Sequence, residues 1–297
     1  MSSLYVCNTS SDNISVVDIE NFKEVYKIPL SYNSEHRIGP HGICTYEDKL
    51  VIANNYSNTI SIIDTQSNKK IADYFIGMHC NDVDIYKDKA YVICGELNYI
   101  IVFNLLTNKV EEEIPCGNLP HSIKIDKQRK RMLITNFEND SITLVDLNDN
   151  KSIKHVRVGA YPTKALFTID GDYIIVCESN IGTDVKGSIS IISSKNYKLL
   201  NRILVGNCPV DMYLDTSYCY VSNFGEGTIS IADINLYNEI KKINVGGMPR
   251  GIIKRLDYIY VGDNYNNILI RVNEKEEKKR VISIGGEPNG MTFFNPL

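Results

Sequence analysis

Seven positions, Pro40, Cys80, Pro120, Pro162, Pro209, Pro249 and Pro288, divide the chain into steps of 40, 40, 42, 47, 40 and 39 residues. Three apolar segments recur in register with them. One opens about two residues after each position, at Ile43, Val83, Ile123, Ala165, Met212, Ile252 and Met291. A second reads LYVCN at 4–8, then LVIAN, AYVIC, MLITN, YIIVCE, CYVSN and IYVGD. A third reads ISVVD, ISIID, IIVFN, ITLVD, ISIIS and ISIAD, with a looser ILIRVN at 268–273. Self-similarity at this period restricts the chain to a stacked or radial array of one small unit.

The unit is clearest over 117–159, where strands are expected at 121–126, 132–136, 141–146 and 152–158. Each run alternates β-branched and polar residues, and each is bounded by Asn, Asp, Gly or Lys clusters. No segment keeps apolar residues at helical spacing for long. Four strands cannot bury both faces alone, so units must pack radially. The chain begins in a second strand (4–8) and ends in a first strand (289–294), so the last strand completes the blade that the first residues began. The expected fold is all-β: one seven-bladed β-propeller over 1–297, four antiparallel strands per blade, with 4–30 and 289–294 sharing a blade.

LYVCN, CYVSN and IYVGD, each followed by an I-S-[IV] strand and then V-G-x-x-P, resemble the YVTN-repeat β-propellers across essentially the whole chain. The resemblance implies the fold. For function it implies a wide range: surface-layer domains, lactonase-like enzymes, a streptogramin lyase and propeller domains of some metal-dependent reductases.

A formal net charge of −4 argues against a nucleic-acid surface, and the mixed run KEEKKR at 275–280 reads as a solvated hairpin. The first residues, MSSLYVCN, show no basic region or apolar core, and no run is long enough to span a membrane. The expectation is a cytoplasmic monomer whose eight cysteines are reduced. Cys7, Cys44, Cys94, Cys177 and Cys219 fall in or at the end of strands, where a thiol serves as a small hydrophobe.

Two stretches are longer than their equivalents, 31–38 between blades one and two and 178–187 within blade five. Links between blades and loops between second and third strands open on one face of a propeller, so both insertions border the same channel mouth, the expected binding face. The opposite face carries short charged hairpins. Residues just after the register position should ring that mouth: His41, Asn81, His121, Thr163, Val210, Arg250 and Asn289, then Gly42, Asp82, Ser122, Lys164, Asp211, Gly251 and Gly290. His41, His79 and His121 lie on consecutive blades, with His36 on the inserted link beside them.

These imidazoles, with Asp82 or Glu96 nearby, could ligate a divalent metal such as zinc or copper, or supply acid–base chemistry near neutral pH. They could equally be solvated groups bonded to water. Lys164 and Arg250 could bind an anion, and Glu96, Glu138, Glu178 and Glu226 a cation; cross-blade ion pairing is the plainer alternative. His155, on an outer strand, and the Asp, Asn or Ser ending most third strands (Asp18, Asp64, Asn104, Asp146, Ser193, Asp233) read as structural. Two functions remain. One is a binding or scaffold propeller holding a small molecule or peptide through His36, His41, Asp82, His121, Lys164, Asp211 and Arg250. The other is a hydrolase or lyase built on the His41/His79/His121 cluster.

Overall fold

A computed structural model describes residues 3–31 and 36–294. The alternating sequence forms seven sheets of four antiparallel strands, each ordered inner to outer as the chain runs. The inner strands are Pro40–Tyr46, Cys80–Tyr86, Pro120–Asp126, Pro162–Phe167, Pro209–Leu214, Pro249–Arg255 and Pro288–Phe294. Expected boundaries hold to within a residue or so: the second strand of the repeat unit is Arg131–Asn136 and its fourth is Ile153–Arg157.

Closure is also as expected. Pro288–Phe294 pairs with Ser3–Asn8 and completes blade one, with Ser3 opposite Phe294. Apolar side chains form seven buried clusters, one for each contact between neighbouring blades. Leu4, Val6 and Val17 of blade one share theirs with Tyr260 and Leu269 of blade seven, so the last contact is buried like the others. At the axis the inner strands nearly touch. A Cβ on Gly251 would collide with the backbone carbonyl of Asn289, and one on Gly290 with that of His41.

Two polar motifs recur around the ring. The residue ending the third strand caps the following turn: Asp18, Asp64, Asn104, Asp146 and Asp233 each accept backbone N–H bonds two or three residues on. The residue ending the second strand is more deeply placed. Asn136 donates to Ser141 and Thr143 at 2.9 and 2.8 Å, and its carbonyl accepts the Gly117 N–H of the incoming link at 3.0 Å. Asn223 repeats these bonds with Thr228, Ser230 and Gly206. In blade five Glu178 does so as a carboxylate, buried and paired with Arg202 at 2.8 Å. Glu178 is therefore a fastening residue of the blade. No helix among the described residues is long and apolar enough to cross a membrane.

Candidate functional site

The register proline starts each inner strand on the face that carries the blade links, so the next two residues enter the channel in two layers. In the upper layer His41, His121 and Arg250 meet around a cavity of about 50 Å³. The His41 Nδ1–H donates to the Asn81 carbonyl at 2.8 Å, and the His121 Nδ1–H donates to the Thr163 carbonyl at 2.7 Å. Both bonds cross to the next blade. They fix the tautomer and leave each Nε2 as a lone-pair acceptor. The Arg250 Nη2–H faces His41 Nε2 at 3.4 Å, and the two imidazoles meet edge to face with centroids 6.3 Å apart.

Both imidazoles are half-buried, each held by its bond to the neighbouring blade. Burial lowers His41 well below the ordinary histidine range, and the charge of Arg250 lowers it further. Burial and Arg250 likewise bring His121 to about 4. Both are neutral at pH 7. Burial also pulls Arg250 below the usual arginine range, with Asp211 and Glu287 opposing from a distance. Among the described residues Arg250 has no ion-pair partner. Its backbone is pinned instead, its carbonyl accepting the Ser222 hydroxyl at 2.5 Å.

One residue deeper, Lys164 of blade five reaches across the axis to Asp82 of blade three at 3.6 Å and Asp211 of blade six at 3.8 Å. Asp82 also accepts the Val83 and Ile123 N–H groups, and Asp211 those of Met212 and Ile252. Burial opposes the charge on Lys164, but the two aspartates outweigh it and hold its ammonium above the ordinary range. Burial raises Asp211, partly offset by Lys164. Lys164 thus sets one ammonium between two carboxyl side chains. The trio forms a waist. Below it the channel widens to a cavity of about 660 Å³ that opens toward the hairpin face, between Asp126, Lys127 and Arg129 on one side and Tyr213 and Thr292 on the other. The larger hollow thus lies on the face expected to carry only hairpins.

The expected three-histidine cluster is not assembled. His79 sits at φ 60°, one residue before the register position, whereas His41 and His121 sit one residue after it. Its side chain lies over Gly95 and 3.9 Å from Glu96, and Asn81 takes the ring place in blade three. Among the described residues no group of three or more His, Cys, Asp or Glu side chains is arranged to hold a metal ion. His36 is exposed on the link, its carbonyl accepting the Ser31 hydroxyl at 3.4 Å, and residues 32–35 of the insertion lie outside the described residues. His155 bonds Thr143 at 3.0 Å on an outer strand.

Aromatic groups complete the mouth, and the pattern of ring positions does not point to them. His121 stacks on Phe137 at 5.8 Å, Phe137 meets Tyr161 at 5.1 Å, and Arg37 lies over exposed Tyr56 at 5.3 Å. The available signal was an aromatic following the second strand in blades two and four.

No protein-family model matches this chain, and no curated protein matches it. Solved structures do. A protein of unknown function from Desulfotomaculum acetoxidans superposes with a TM-score of 0.82 at 19% identity, covering 99% of both chains. Hydrazine synthase from Kuenenia stuttgartiensis gives 0.76 at 16%, covering 95% of this chain and 92% of that one. The dihydro-heme d1 dehydrogenase NirN gives 0.68 at 12%, covering 98% and 74%. At these identities the likeness is one of fold: the chain is a seven-bladed β-propeller.

Proposed function

We propose that this is a binding propeller that takes a carboxylate-bearing small molecule or peptide at the mouth of the channel on the link-bearing face. The observation that carries the reading is Arg250, a half-buried guanidinium at the mouth with no ion-pair partner among the described residues. A buried charge is costly unless it is paired, and the guanidinium fork matches a carboxylate in two bonds. His121 Nε2, held as an acceptor, would take a hydroxyl or amide N–H adjoining that carboxylate. Phe137 and Tyr161 would cover an apolar flank.

A cation suits the upper layer poorly. Arg250 already donates to His41 Nε2, and its charge, which adds to burial in disfavouring both imidazolium forms, would also repel a metal ion. Proton transfer near neutral pH also draws little support, since a base at about 4 is far from the matched value.

Isothermal titration with sodium tartrate and with N-acetylglycine, each pairing a carboxylate with a neighbouring donor, tests the reading. Saturable binding should appear and weaken at least about tenfold, roughly 1.4 kcal/mol, in Arg250→Gln. Acetate, lacking the donor, should bind less tightly than either. Failure of both probes to bind, or equal binding to the Gln variant, would overturn it.

A further inference from the structure

Seven copies of one register allow each blade to be checked against the other six. The register proline faces the same kind of partner across the sheet in six of them: Asn8, Asn54, Asn136, Glu178, Asn223 and Asp263. In blade three both members of the pair change together, and Cys80 stands opposite Cys94. The surroundings change with them. The third-strand positions that hold Ser141 and Thr143 in blade four hold Tyr99 and Ile101 here, and the hydroxyl partners of the usual amide are gone. The two sulfurs lie 3.9 Å apart, fully buried, and the Cys80 thiol donates to the Gly77 carbonyl at 3.1 Å.

We propose that Cys80 and Cys94 are a reversible dithiol–disulfide site, oxidised by a small disulfide such as oxidised glutathione. Cys80 and Cys94 pair across the sheet beside a bulge, and opposed residues of an antiparallel pair have Cα atoms about 4.5 or 5.5 Å apart, inside the range a disulfide spans. The sulfurs need to close from 3.9 Å to about 2 Å to bond. The product carries no charge and no donor of its own, so it suits the apolar cluster of Ile76, Val92 and Ile101 around it, at the cost of the bond to the Gly77 carbonyl.

In the reduced fold the bond to Cys94, then burial, hold the Cys80 thiol protonated. Reaction therefore begins when the Gly77–Met78 link lifts. Gly77 covers the Cys94 sulfur with backbone alone, and Met78 beside it is exposed. One thiol loses its proton and attacks a sulfur of oxidised glutathione, whose S–S bond breaks. The departing glutathione thiolate takes up that proton. The second cysteine, losing its own proton, attacks the protein-bound sulfur of the mixed disulfide and expels the second glutathione as a thiol. The two protein thiols are oxidised, and one glutathione disulfide is reduced to two thiols.

The test uses the full chain, equilibrated with defined mixtures of oxidised and reduced glutathione, then alkylated under denaturing conditions and weighed. Fully reduced protein should carry eight adducts, one for each free cysteine. Oxidised protein should carry two fewer, with a single cross-linked peptide joining Cys80 to Cys94 that dithiothreitol releases. Cys80→Ser and Cys94→Ser should each keep every remaining thiol free. A parallel sample unfolded in urea and refolded in the same mixtures removes burial as an obstacle. Eight adducts in both samples, a disulfide through any other cysteine, or one that persists in Cys80→Ser would overturn the proposal.

Discussion

Acid should destabilise this propeller before its carboxylates begin to titrate. His121 is held at about 4 against an ordinary 6.5, because burial and Arg250 oppose its charge. The unfolded chain restores the ordinary value, so between these two the unfolded state binds a proton that the folded state refuses. Stability is therefore full above about 6.5, falls as pH drops through that window and levels off below about 4. At pH 5 His121 alone should cost about 2 kcal/mol, and about 3 kcal/mol over the whole window. His41 is shifted in the same direction and adds to the loss. Carboxylates held low, such as Asp126, act below this window, and Asp211, raised by burial, acts with the opposite sign. Urea unfolding at about pH 7.5 and about pH 5 measures the difference. His121→Gln should remove roughly 2 kcal/mol of the acid loss. Equal losses in the parent and the variant would refute the reasoning, and so would a His121 ring-proton titration centred near 6.5.

Removing the strand from Pro288 onward should leave the inner edge of Ser3–Asn8 unpaired, giving aggregated or unfolded protein on gel filtration. Gly290→Ala should cost more than about 2 kcal/mol in urea melts, since the methyl has only the His41 backbone to displace. Asn136→Ala should cost about 2–3 kcal/mol, because it strands the Gly117 N–H and two hydroxyls; a loss below about 0.5 kcal/mol would contradict the fastening role. Lys164→Met leaves Asp82 and Asp211 facing each other and should cost on the order of 2 kcal/mol, less than for full burial because Lys164 keeps 25% of its side chain exposed.

The architecture was readable because every copy repeats the same instruction. Seven statements of one register outweigh any local ambiguity, and even ILIRVN, with no Ser or Thr at its third position, falls into place as the third strand Ile268–Asn273. The turn-capping role of the third-strand aspartates was readable for the same reason. The site was legible only in its outline. Counting from the proline put His41, His121 and Arg250 in one ring and Asp82, Lys164 and Asp211 in the next, and all six line one small cavity. It could not show that His79, two residues from Asn81 and in the left-handed region, leaves the ring in another direction. Nor could it show that Lys164 spans the axis, because which lysine reaches which aspartate depends on blades far apart in sequence. The hollow on the hairpin face is set by that crossing and has no motif of its own. Glu178 misled for a simple reason: it ends its strand like an exposed loop residue, yet it occupies the place of a buried asparagine.

The pairing of Ser3 with Phe294 has a practical reach beyond closure. Inner strands descend from the Arg250 mouth and second strands climb back to it, so both of these residues lie on the hairpin side. Joining them by a short peptide and reopening the chain at another hairpin should give a circular permutant with the same seven sheets. A protein held by either end, to a bead or to a fused partner, would turn its mouth away from the attachment and leave it open to solution.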